Sequence, residues 1–163
     1  MDLGTILKVG HAVLGVWIVA GLVGRWVTLG QAARSTDINA VQTLLHLSDR
    51  FEWIVVRIPP VVLLLGIATA IAQGRPFLGP LQGAPVDWLF VSIVIYLSII
   101  PVVPLVFLPR GKVFAAALAE ATAAGHVTDD LIARFRDPVV FAAHVYELVA
   151  IIVVFVLMIT KPF

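Results

Sequence analysis

An all-α bundle of four transmembrane helices is the fold class this sequence predicts, and three observations carry that expectation. Hydrophobic residues make up 61% of the chain and charged residues only 13%, whereas soluble domains carry about 25% charged residues. Mean hydropathy is correspondingly high, at +1.06. Finally, four apolar runs, Leu3–Leu29, Phe51–Gln73, Asp87–Leu108 and Val139–Lys161, each reach about 20 residues or more, enough to cross a hydrocarbon core about 30 Å thick. Residues 1–163 therefore read as one integral membrane domain with the lipid bilayer as its medium.

The first span carries Lys8, His11 and Arg25 inside apolar sequence, KVGHAVLGVWIVAGLVGR. At about 100° per residue, Lys8, His11, Gly15, Ile18, Leu22 and Arg25 lie along one side of a helix. Polar residues at membrane depth are costly and face a bundle interior or a bound group. Gly15, one turn after His11, removes side-chain bulk where a flat ligand would approach. Read structurally, His11 is an interhelical hydrogen-bonding residue. Ala20 and Gly24 form a small-xxx-small pair suited to close helix packing.

The connection RSTDINAVQTLLHLSDR predicts a short amphipathic helix, capped by Thr36 or Asp37, with Ile38, Val41, Leu44 and Leu45 on its apolar side. His46 falls in this surface segment. In the second span Arg57 lies about two turns inside, Trp53 one turn before it marks the interface, and Pro59-Pro60 interrupts the backbone ladder. QGRPFLGPLQGAP is a Gly/Pro loop. Pro101 and Pro104 in the third span leave the carbonyls of Leu97 and Ile100 without their usual donors, which predicts a kink. Next come a helix closed by Gly125 and a short helix capped by Thr128 or Asp129, both expected against the membrane face, with His126 between them. The fourth span follows Asp137-Pro138 and places His144 and Glu147 on one face.

Basic residues are asymmetric. Arg34, Arg50, Arg110, Lys112, Arg134 and Arg136 flank the first and third connections, against Lys8, Arg75 and Lys161 on the other side. By the positive-inside rule both termini are expected to be extracytoplasmic and the amphipathic connections cytoplasmic. The absence of cysteine excludes disulfides, iron–sulfur clusters, covalently attached c-type haem and thiol catalysis. No basic patch points to nucleic acid. The N-terminal run lacks the basic n-region, length and cleavage site of a signal peptide.

Lys8-x-x-His11, the second-span RIPPVVLLLGIATA, the Asp137-Pro138 entry and the LMITKP ending together resemble a widespread bacterial membrane family of unknown function. That family is similar to the copper-resistance D (CopD) proteins and the HemJ-type protoporphyrinogen oxidases. The resemblance implies a four-helix protein binding haem b, with Lys8 and His11 at the position of a lysine–histidine pattern. Copper passage ranks low, because Cu(I) prefers thiolate and thioether ligands and the chain offers only Met1 and Met158. For haem b, His11 and His144 are the two intramembrane imidazoles and candidate axial ligands, and Arg25 and Arg57 the candidate propionate partners. The histidines sit at levels differing by roughly 10 Å, so one ligand, two sites or one inclined haem remain open. Arg57 and Glu147 lie at similar depth and are expected to form an ion pair or, with His144, a proton relay. Three functions follow: a haem-b redox protein connected with tetrapyrrole metabolism, a non-catalytic subunit of a homo-oligomer or larger membrane complex, or a small metal or proton transporter. No substrate is legible.

Overall fold

The computed structural model describes residues 2–163. It is all-helical, with no strand among the described residues and four helical stretches long and apolar enough to span a membrane. The helices are α1 (Leu3–Ala32), α2 (Ile38–Ala72), α3 (Trp88–Ile99), α4 (Leu108–Ala124), α5 (Asp129–Phe135) and α6 (Pro138–Thr160). A 3-10 turn, Gly79–Gln82, interrupts the α2–α3 loop, and a π-helical segment, Val103–Phe107, joins α3 to α4.

Local chemistry sets the boundaries. Asp2 caps α1 by accepting from the Thr5 N–H at 2.7 Å, and Asp37 caps α2 through the Asn39 N–H at 3.0 Å. Thr128 caps α5, and Asp137 caps α6 through the amides of Val139 and Val140. These side-chain acceptors replace the partners a first helical turn lacks. Gly125 ends α4 with φ at +74°, a left-handed conformation that glycine enters without steric cost.

The connection between the first two spans does not form a separate surface helix. α2 runs unbroken through Ile38 to Ala72, passing both the amphipathic segment and Pro59-Pro60. Its first turns extend beyond the spans and pack on α4 and α5. Ile38, Val41, Ala117, Ala121 and Leu131 are buried there, with Phe114 and Phe135 edge-to-face at 5.0 Å. The two amphipathic connections thus bury their apolar sides against each other in a small helical head.

At Pro101 and Pro104 the chain repairs the expected breaks locally. The Leu97 carbonyl accepts from the Ile100 N–H at 3.2 Å, and the Ile100 carbonyl from the Val103 N–H at 3.3 Å. These i→i+3 bonds, followed by the π turn, carry the helix through the prolines.

α1 packs chiefly on α2, and α3 on α6, while α6 also touches α1. Gly21 and Gly24 let α1 and α2 approach. A Cβ on Gly21 would lie 3.0 Å from Ile54, and one on Gly24 would lie 2.4 Å from the Phe51 ring. Ala20, expected to share this role with Gly24, is exposed, and Gly21 takes its place. The bundle therefore has a head end, where α2, α4 and α5 meet, and a terminal end, where Leu3, Ala72, Trp88 and Thr160 lie together.

Candidate functional site

The polar stripe of α1 turns inward. Ile18, Leu22 and Arg25 are buried, and Lys8, His11 and Gly15 line a cavity at the terminal end. The cavity has a volume of about 400 Å³ and is lined by residues of α1, α2, α3 and α6 and of the α2–α3 loop, within the range typical of small-ligand sites. Its walls are mainly apolar: Ile18, Val62, Ile67, Leu89, Ile93, Ile151, Phe155 and Met158 contribute. Two wall hydroxyls are already satisfied, Thr69 by the Leu65 carbonyl and Ser92 by the Trp88 carbonyl, each at 2.7 Å.

His11 is fixed by an interhelical hydrogen bond: its Nδ1 lies 2.9 Å from the Val62 carbonyl oxygen. A carbonyl only accepts, so Nδ1 carries the proton and Nε2 of the neutral ring keeps its lone pair. Gly66 makes room for the ring. A Cβ there would lie 2.9 Å from His11 Cε1 and 3.2 Å from Nδ1. Gly15 also lines the cavity, but an added Cβ there would meet Phe155 at an ordinary 3.8 Å. Close approach to His11 thus depends on Gly66, which the one-helix reading of the sequence missed because the requirement comes from the neighbouring helix.

The mouth of the cavity is cationic. Lys8 comes from α1, Arg75 from the α2–α3 loop, and Lys161 from the end of α6. The Arg75 guanidinium and the Lys161 ammonium lie 5.6 and 5.4 Å from the centroid of the Trp88 ring. Their clustering had a sequence signal, since these three are the basic residues assigned to the same side of the membrane.

The remaining site candidates lie elsewhere. The Glu147 carboxylate pairs with Arg25, not with Arg57, and Arg25 also donates to Glu52 at 2.7 Å. Arg25 and Glu147 are each 5% exposed, whereas Arg57 is on the outer face of α2 and forms no ion pair with any described residue. Depth alone made Arg57 and Arg25 equivalent; rotation about the helix axis separates them. Neither arginine lines the cavity. His144 stacks on Phe107 of the π segment at 4.8 Å and faces a space of about 10 Å³ beside Leu22, Arg25, Trp26 and Leu148.

Leu22 stands at the level of His144, and it follows His11 by eleven residues on α1. At about 1.5 Å per residue the two histidines differ in level by about 16 Å, so the structure does not bring them together on one group. No group of three or more His, Cys, Asp or Glu able to hold a metal ion occurs among the described residues. His46 and His126 are exposed, His46 beside Asp49 and His126 on the Ala124 carbonyl.

A stripe that passes from Lys8 and His11 at the cavity to a buried arginine–carboxylate cluster can do two things chemically. The cavity can hold an amphipathic molecule against an imidazole, and the cluster can neutralise charge between three helices. No curated protein and no solved structure matches the chain. The profile of a family described as predicted integral membrane protein (DUF2269) matches residues 5–162, and the chain belongs to that family of integral membrane proteins.

Proposed function

We propose that this chain is a haem-b-binding protein of a bacterial inner membrane, with the terminal-end cavity as the haem site and a redox or tetrapyrrole-related role. The observation that carries the reading is the His11 hydrogen bond. Nδ1 held on the Val62 carbonyl at 2.9 Å orients the ring and leaves Nε2 as a donor atom at the cavity, the usual arrangement of a metal-ligating imidazole. The apolar walls and the cationic mouth suit a flat apolar macrocycle with acid substituents. Among the described residues His11 is the single histidine on the cavity, so the reading is one axial imidazole from this chain. Bound there, haem b would supply one-electron chemistry. The chain's own residues position it and exclude water: Gly66 sets the imidazole, and Ile93, Ile151 and Phe155 wall it. The resemblance to CopD and HemJ-type proteins supports this class of ligand, and the basic residues at the head end support placing both termini outside the cytoplasm.

The test is spectroscopic. Purified protein supplied with haem b should show a Soret band. His11→Ala should lose haem or change its spin-state spectrum, while His144→Ala, His46→Ala and His126→Ala stay like the parent. A parent protein that remains colourless after haem supplementation sinks the reading, and an unchanged His11→Ala spectrum removes His11 from it.

A further inference from the structure

We infer that the mouth of the terminal-end cavity is an acid-binding site, in which Lys8, Arg75 and Lys161 hold the carboxylates of an amphiphile whose apolar body fills the cavity. This rests on reading that cavity as the ligand site, and deepens it by naming the ligand's charge and where that charge lies.

Three cations from three separate elements converge on one cavity, and among the described residues no aspartate or glutamate lines it. None of the three forms an ion pair with any described residue. Both acids nearest this end are committed to helix caps: Asp2 accepts from Thr5 and Asp87 from Phe90. Like charges gathered beside low-polarity walls repel one another, and the field they make favours an anion.

Trp88 holds two of these cations in place. Its indole is 8% exposed, with Arg75 and Lys161 both within 6 Å of the ring centroid, the range of a cation–π contact. The backbone contributes as well. Lys161 has φ of +45° and is the single non-glycine residue with positive φ among the described residues. Residues other than glycine rarely enter the left-handed region, and here the turn accompanies the side chain's approach to Trp88. Below the mouth, Thr69 and Ser92 are satisfied within their own helices. Charge from Lys8, Arg75 and Lys161 therefore stands at one end of a mainly apolar space that His11, Gln73 and Tyr96 also line, which suits an acid at one end of a largely apolar molecule.

The test compares acids with their esters on the full chain in zwitterionic nanodiscs. Haem b and haem b dimethyl ester form one pair. Dansyl-labelled undecanoic acid and its methyl ester form an iron-free pair, with energy transfer from Trp88 as readout and Trp88→Phe as its control. Each acid should bind the parent protein about 10-fold or more tightly than its ester, as charge-assisted contacts require. Lys8→Gln/Arg75→Gln/Lys161→Gln should abolish that preference, and Lys8→Gln alone, which alters one exposed side chain, should reduce it. His126→Ala, whose ring is exposed on the Ala124 carbonyl away from the cavity, should leave the preference for the dansyl acid unchanged. Failure of haem b to bind, with the dansyl-acid preference intact, removes the haem reading and leaves the acid site standing. Equal affinity for acid and ester in the parent, or an undiminished preference in the triple variant, overturns the inference. Loss of acid binding in phosphatidylglycerol nanodiscs would assign the mouth to a lipid headgroup, and overturns it equally.

Discussion

Replacing Arg25 with methionine strips the cation from two carboxylates at once, and the structure sets how unequal the consequences are. Glu147 is 5% exposed and pairs with Arg25 alone, so the variant leaves it buried without a partner. Glu52 has a side chain 45% exposed and keeps its hydration. Removing one member of a buried pair costs about 3–5 kcal/mol, whereas an exposed pair contributes about 0.2–1 kcal/mol. Arg25→Met should therefore lower stability by about 3–5 kcal/mol, nearly all through Glu147. At about 2–4 °C per kcal/mol for a chain of this size, the midpoint of thermal unfolding falls by about 6–20 °C. Glu147→Leu should cost less, because Arg25 retains Glu52 at 2.7 Å. The double variant Arg25→Met/Glu147→Leu replaces a buried ion pair by apolar groups and should be more stable than Arg25→Met alone. Arg57→Leu, on the outer face of α2, should combine additively with Glu147→Leu. Thermal unfolding of the detergent-solubilised proteins reads all of these. Additive losses for the Arg25 and Glu147 variants, or coupling between Arg57 and Glu147, would refute the pairing and the reasoning from burial.

Two further substitutions separate packing from site geometry. Gly66→Ala should leave stability within about 1 kcal/mol, since the helix gains about that much in propensity, yet it should move the His11 imidazole nitrogen resonances, because the new Cβ would stand 2.9 Å from the ring; unmoved resonances would mean the ring is not held there. Gly24→Ala should destabilise the parent by about 1–3 kcal/mol through overpacking on Phe51, and should stabilise a Phe51→Ala background, where the obstructing ring is gone; the same sign in both backgrounds, measured by thermal unfolding, would refute the contact.

Much of the fold was legible because membrane insertion and capping act locally. Four apolar runs of spanning length announce four spans, and Gly125, Thr128 and Asp137 mark ends that depend on a single residue's conformation or side-chain acceptor. The continuity of α2 was not legible in the same way. HLSDR between the amphipathic and apolar parts marks where polarity changes, but it contains no residue that stops a helix, and a charged residue signals exit from the bilayer rather than the end of a helix. Pro101 and Pro104 posed the reverse problem. They remove donors, but neighbouring amides one position closer supply replacements, so the chain remains helical across the break.

The site divides along the same line between local and tertiary information. The α1 stripe from Lys8 to Arg25 was visible as a single face and is the inward face, so periodicity alone pointed to Arg25 as a buried cation. Choosing Arg57 for Glu147 weighed depth over that periodicity, and depth does not fix which way a residue faces. For His11 and His144 depth was informative: the sequence put them toward opposite faces and left one ligand, two sites or one inclined haem open, and the structure places them at opposite ends of the bundle. The stripe instead serves two ends differently. At the Arg25 level, side chains from α2 and α6 reach across and neutralise the charge, closing the bundle. Around His11 no acidic side chain of the described residues does so, the surrounding side chains leave about 400 Å³ open, and three cations stand at the mouth. An apolar space of that size, bordered by uncompensated positive charge and by an imidazole already oriented from behind, is complementary to something the chain itself does not contain. That complementarity, more than the presence of any one histidine, is the physical reason to look for function at the terminal end.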